Sequence, residues 1–122
     1  KELSPADPQV TKSGQVMGTP AFMSPEQATG HHQSIGTRTD VYALGAVLYD
    51  LLVGQPPFTG SVASILGKLS HETAASPRRL VPSLHRDLET ICMKALARDP
   101  QDRYETAASL ADDLLRFADG RA

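Results

Sequence analysis

The strongest constraint in this chain is the run VYALGAVLYDLLVG, from Val41 to Gly54. With Thr39 or Asp40 as its first residue it reads as one helix ending at Val53. Its apolar side chains (Val41, Tyr42, Leu44, Val47, Leu48, Tyr49, Leu51, Leu52) fall on every side. A helix without a polar face has to be covered all round. The run is interrupted by Asp50 and falls short of the roughly 20 residues that a bilayer span requires, so protein must provide the cover. Gly45 costs about 1 kcal/mol relative to alanine inside a helix, which predicts another backbone packed close at that point. Gly54 stops the helix, and Gln55-Pro56-Pro57-Phe58 turns the chain away.

The surrounding segments read as shorter helices. Ser61 caps one whose Val62, Ile65, Leu66 and Leu69 form a single buried stripe. After a loop punctuated by Pro77 and Pro82, Leu88, Ile91, Cys92, Ala95 and Leu96 repeat the helical spacing until Asp99-Pro100 breaks it. A last helix follows Thr106, with Leu110, Leu114 and Phe117 on one face and Asp112 and Asp113 on another. Upstream, Ser24-Pro25-Glu26-Gln27 places a hydroxyl at the N-cap, proline at the first helical position and glutamine at the third, a capping box that opens a short helix. Residues 1–18 read as an extended loop and Gly30 to Arg38 as another polar one. No alternating strand and no internal repeat is found, so the fold class is mainly α. Three short neighbours are thin cover for the central helix. The chain does not begin with methionine and carries no targeting pattern, and it reads as an excerpt of something longer.

Composition narrows the function. A chain of 122 residues with 40% hydrophobic content suits one domain or a piece of one. Twelve Lys and Arg against 14 Asp and Glu give a net charge of −2, without the basic excess that marks a nucleic-acid partner. The single cysteine, Cys92, lies in an apolar-periodic segment, excludes a disulfide within the chain and fits a reducing, cytoplasmic compartment. His31-His32 sits in a loop with no cysteine near it, and His71 and His85 fall in other segments, which suits a solvated loop better than a metal site.

Four motifs occur in register: GTPAFMSPE from Gly18 to Glu26, TDVYALG from Thr39 to Gly45, GQPPF from Gly54 to Phe58, and Leu96 through Asp99-Pro100 to Arg103-Tyr104. In this order and spacing the chain resembles the C-terminal lobe of serine/threonine protein kinases, most like their bacterial branch. The resemblance implies that residues 1–28 are the activation segment, with Gly18, Thr19, Pro20 and Phe22 in the substrate-binding loop and Ser24-Pro25-Glu26 in place of the family's Ala-Pro-Glu. It implies that Thr19 supports a catalytic aspartate lying outside the chain, that Asp40 accepts hydrogen bonds from the backbone of the catalytic loop, and that Glu26 pairs with Arg103. Thr11 and Ser13 fall where the family carries activation-loop phosphosites. Residues 29–118 would be the helical part of the lobe and 119–122 the start of a linker.

The glycine-rich loop, the paired lysine and glutamate, the His-Arg-Asp loop and the Asp-Phe-Gly motif of this family are not among the 122 residues. The resemblance therefore implies a partial lobe without the N-lobe or the catalytic loop. ATP and magnesium would be bound by the parent kinase rather than by this chain, the partners would be a protein substrate carrying Ser or Thr and the rest of the same polypeptide, and no nucleic acid or membrane segment enters. Two other readings stay open: a pseudokinase-type binding module without catalysis, and a helical adaptor unrelated to kinases.

Overall fold

The computed structural model describes residues 20–120. Six α-helices, α1 (Pro25–Thr29), α2 (Thr37–Val53), α3 (Val62–His71), α4 (Pro77–Leu80), α5 (Arg86–Ala95) and α6 (Ala107–Ala118), are joined by loops and three 3-10 turns at Pro20–Phe22, His32–Ser34 and Pro100–Asp102. Among the described residues there is no strand.

Helix α2 is the axis of the molecule. It starts at Thr37, ahead of the expected Thr39 or Asp40, because Gly36 occupies the N-cap. Glycine has no side chain to offer, and the Thr39 hydroxyl takes over by accepting from the Gly36 N–H at 3.1 Å. The far end closes as the sequence predicts: Gly54 adopts the left-handed conformation (φ 88°) and its N–H donates to the Asp50 carbonyl. Val41, Tyr42, Ala46 and Tyr49 are all buried, packed chiefly against α5, α6 and the Pro20–Phe22 turn.

The close approach predicted at Gly45 is present. A Cβ built there would lie 2.7 Å from the Ala95 Cβ and 3.3 Å from the Ala95 carbonyl carbon. The Cys92 thiol donates to the Gly45 carbonyl at 3.7 Å across the same seam. Burial, helped by the negative charge of Glu89, pushes that thiol up to about 12, so Cys92 is a packing residue rather than a nucleophile.

Burial of α2 on every side is not what the structure has. Leu44, Val47 and Leu51 are 45%, 44% and 78% exposed. Their spacing of three and four residues puts them on one stripe, the side that α5, α6 and the 20–22 turn leave uncovered.

The peripheral helices follow the expected pattern with three corrections. In α3, Ile65 and Leu69 are buried and the Ser61 hydroxyl accepts from the Ser64 N–H, but Val62, in the first turn, is 47% exposed. The segment after Pro77, read as loop, contains α4. Proline opens it at its first position, and Glu89 of α5 accepts from the Arg78 N–H at 2.9 Å, a cap supplied from another helix. The Tyr49 hydroxyl donates to the Ala75 carbonyl and ties this strap to α2. In α6, Leu110 joins a cluster with Val41, Ile91, Ala95 and Tyr104, while Leu114 and Phe117 pack at its edge. Asp113 faces the protein, accepting from the Tyr104 hydroxyl at 2.6 Å. No helix among the described residues is long and apolar enough to cross a membrane.

Candidate functional site

The Ser-Pro-Glu segment is built from local rules first. The Ser24 hydroxyl accepts from the Gln27 N–H at 3.3 Å, and the Gln27 side-chain carbonyl accepts from the Ser24 N–H at 3.0 Å. Pro25 fixes the first helical φ. This cap sets the direction in which Glu26, the next residue, leaves the backbone. Its carboxylate points into the protein and is only 4% exposed.

There it meets Arg103, 77 residues later in the chain, in a two-pronged pair: Nη1 donates to Oε2 at 2.7 Å and Nη2 to Oε1 at 2.8 Å. The Thr39 hydroxyl adds a donor to Oε2 at 2.8 Å. The Arg103 guanidinium also donates to three backbone carbonyls, Ala97 through Nε at 2.6 Å, Arg38 through Nη1 at 3.0 Å and Arg98 through Nη2 at 3.1 Å. All five of its N–H groups are thereby used. One face of the group lies over the Tyr42 ring at 4.9 Å.

Burial raises the Glu26 carboxyl, but the hydrogen bonds from Arg103 and Thr39 more than offset it and hold the group below its ordinary value of 4.5. Burial likewise pushes the Tyr42 hydroxyl up to about 12, against the pull of the Arg103 and Arg98 charges. A buried ion pair stabilises only when its remaining hydrogen-bonding capacity is matched, and here it is. The arrangement joins α1, the first turn of α2 and the 97–103 loop at one point. Both carboxylate oxygens are engaged by donors from two other segments, which makes Glu26 a structural anchor.

The other residues singled out by the sequence are placed as follows. Pro20 and Phe22 lie half-buried in the 3-10 turn, packed on α2 and α3, with Phe22 against the cluster that contains Tyr42 and Leu69. Asp40 stands exposed in the first turn of α2. Thr11, Ser13, Gly18 and Thr19 lie outside the described residues. Sequence reasoning missed Thr39 and Arg98. For Thr39 the available signal was its third position after Gly36, where a side chain can replace a missing cap. The role of Arg98 is purely tertiary.

Among the described residues no group of three or more His, Cys, Asp or Glu is placed to hold a metal ion.

Motif order and helical architecture define part of a protein-kinase C-terminal lobe. The model of the protein kinase domain matches residues 5–115. The chain belongs to the protein kinase family. It is 44% identical over 112 residues to the serine/threonine-protein kinase PknB of Mycobacterium tuberculosis, covering 91% of this chain and 18% of that protein. It is 42% identical over 112 residues to the probable serine/threonine-protein kinase PknB of Bifidobacterium longum, covering 91% and 16%. To the serine/threonine-protein kinase PrkC of Bacillus subtilis it is 41% identical over 107 residues, covering 86% and 16%. The chain thus spans less than a fifth of the length of these relatives. All three bear the names of serine/threonine-protein kinases and come from bacteria, the branch that the motifs resemble.

Proposed function

We propose that this chain is the substrate-binding and structural part of a serine/threonine protein kinase that transfers phosphate from ATP to Ser or Thr of proteins. Residues 1–28 serve as the activation segment and residues 29–118 as the helical base that holds it. Gly18, Thr19, Pro20 and Phe22 receive the substrate chain, with Thr19 beside the catalytic aspartate of the remaining polypeptide. ATP and magnesium are held by that remaining part, which carries the phosphoryl-transfer chemistry.

The observation that carries this reading is the buried Glu26–Arg103 pair. It fixes the Ser-Pro-Glu helix to the lobe at a point where rigidity rather than chemistry is needed, because positioning of the acceptor hydroxyl contributes much of the rate in phosphoryl transfer.

The test grafts residues 5–115 into the matching segment of the M. tuberculosis kinase and measures phosphate transfer from ATP and magnesium to a threonine peptide. We expect the graft to be active and its Glu26→Ala variant to lose about 100-fold in kcat/KM, each tenfold being about 1.4 kcal/mol of barrier. The 122-residue chain alone is expected to give no transfer and no heat of ATP binding in calorimetry. A graft that folds and binds ATP but transfers nothing would refute the kinase reading. Robust transfer by the chain alone would refute the division of labour.

A further inference from the structure

Arg98 is half-buried, lies two residues beyond the C-cap of α5, and makes contacts that its position in the sequence does not announce. Its Nη1 donates to the carbonyls of Leu69 at 2.8 Å and Glu72 at 2.9 Å, and its Nη2 to that of Ser70 at 2.7 Å. Leu69 and Ser70 belong to the last turn of α3, whose carbonyls have no partner within the helix, and a cation there also meets the negative end of the helix dipole. The α3 terminus is therefore closed by a side chain 29 residues from Leu69, reaching from the loop that also carries Arg103.

That loop has two hands. Arg103 grips Glu26 of α1, and Arg98 grips the end of α3. The two are wired together, since the Arg98 carbonyl accepts from Arg103 Nη2 at 3.1 Å. Helices α1 and α3 pack against each other, and α3 also packs on the Pro20–Phe22 turn. The 97–103 loop thus sets the angle between the two helices that flank the proposed substrate segment.

We infer that Arg98 is a positioning residue for the protein substrate: by holding the last turn of α3 to the 97–103 loop it fixes the wall on which the 20–22 segment rests. The inference rests on the function proposed above. The hydrogen bonds of the Arg98 side chain go to backbone carbonyls at the end of α3, so its effect falls on binding of the acceptor and not on ATP or on the chemical step.

The experiment compares Arg98→Ala and Arg98→Lys with wild type in the full-length protein, using a threonine peptide that wild type phosphorylates. Arg98→Ala is expected to raise the peptide KM about tenfold while kcat and the ATP KM stay within about twofold, the split that marks lost ground-state binding. Arg98→Lys should recover only part, because one ammonium cannot span carbonyls reached by two separate nitrogens. Amide exchange supplies a readout independent of activity: residues 62–72 and 20–29 should exchange about tenfold faster in Arg98→Ala while residues 107–118 are unchanged. An unchanged peptide KM, equal losses in kcat and ATP affinity, or unaltered exchange at 62–72 would each overturn the inference. Should wild type transfer no phosphate, the kinase reading falls instead. Exchange together with fluorescence-anisotropy binding of the labelled peptide then decides the role of Arg98, unaltered affinity in Arg98→Ala counting against it.

Discussion

Removing Arg103 should damage this protein more than any other single exposed or buried charge described above, and the geometry says by how much. Arg103→Ala deletes two charge-assisted bonds to Glu26 and three bonds to the carbonyls of Ala97, Arg38 and Arg98. It leaves a carboxylate that is 4% exposed with the Thr39 hydroxyl as its remaining side-chain donor. Stranding one member of a buried pair costs about 3–5 kcal/mol. Glu26→Ala strands the guanidinium, which keeps its three carbonyls and the Tyr42 ring, and should cost about 3 kcal/mol on the same grounds. The double variant buries no unpaired charge, so its loss should fall short of the sum by about 2–3 kcal/mol. Arg103→Lys keeps the charge and loses the fork, and should recover less than about half of the loss. The assay is urea unfolding of the full-length protein for the four corners of the cycle, with amide exchange over residues 20–53 as a local readout. Losses that add to within about 0.5 kcal/mol would show that the two residues are uncoupled and would refute the anchor.

Three further outcomes are expected. The Glu26 carboxyl is depressed in the folded state, so its contribution is fully present above the ordinary value of 4.5 and lost as pH falls through the lower folded value; the advantage of wild type over Glu26→Gln in unfolding free energy should stay flat above about pH 6 and shrink below 4.5. Gly45→Ala should destabilise by about 1–3 kcal/mol in thermal unfolding despite the helix propensity it gains, because the new methyl would sit 2.7 Å from the Ala95 Cβ. In the active full-length protein, mass spectrometry should find phosphate on Thr11 or Ser13, and the Thr11→Ala, Ser13→Ala double variant should fail to reach wild-type activity; equal activation would reduce both to ordinary loop hydroxyls.

What could be read from the sequence was local or carried by a residue with one dominant use. The Ser24–Gln27 cap needs only four residues, Gly54 ends α2 because few residues other than glycine accept a positive φ, and Gly45 announced a close neighbour through its cost. The start of α2 was misplaced because the cap at Gly36 has no side chain to recognise. Helix α4 was missed because Ser76 makes no side-chain cap and its substitute, Glu89, comes from α5. The three-sided burial of α2 was beyond periodicity, since Leu44 and Leu48 look alike on paper and only the packing partner separates them. Arg98 illustrates the same limit at the site: a charged residue near a helix end is ordinarily solvated, and nothing nearby in the chain marks its reach to α3.

The distance along the chain between Glu26 and Arg103 also sets an order of events during synthesis. At about 5–20 residues per second, a ribosome takes roughly 4–15 s to add the 77 residues that separate them. Throughout that interval the nascent chain can form the Ser24 cap and coil α2, but it lacks Arg103, the guanidinium that meets both oxygens of Glu26 in the fold. The carboxylate therefore has to stay in water, and the Ser-Pro-Glu helix cannot settle on the base until Arg103 has left the exit tunnel. The pair is thus a latch: within these residues the Ser-Pro-Glu segment is made early and locked late, and a polypeptide cut short before residue 103 lacks the group that locks it.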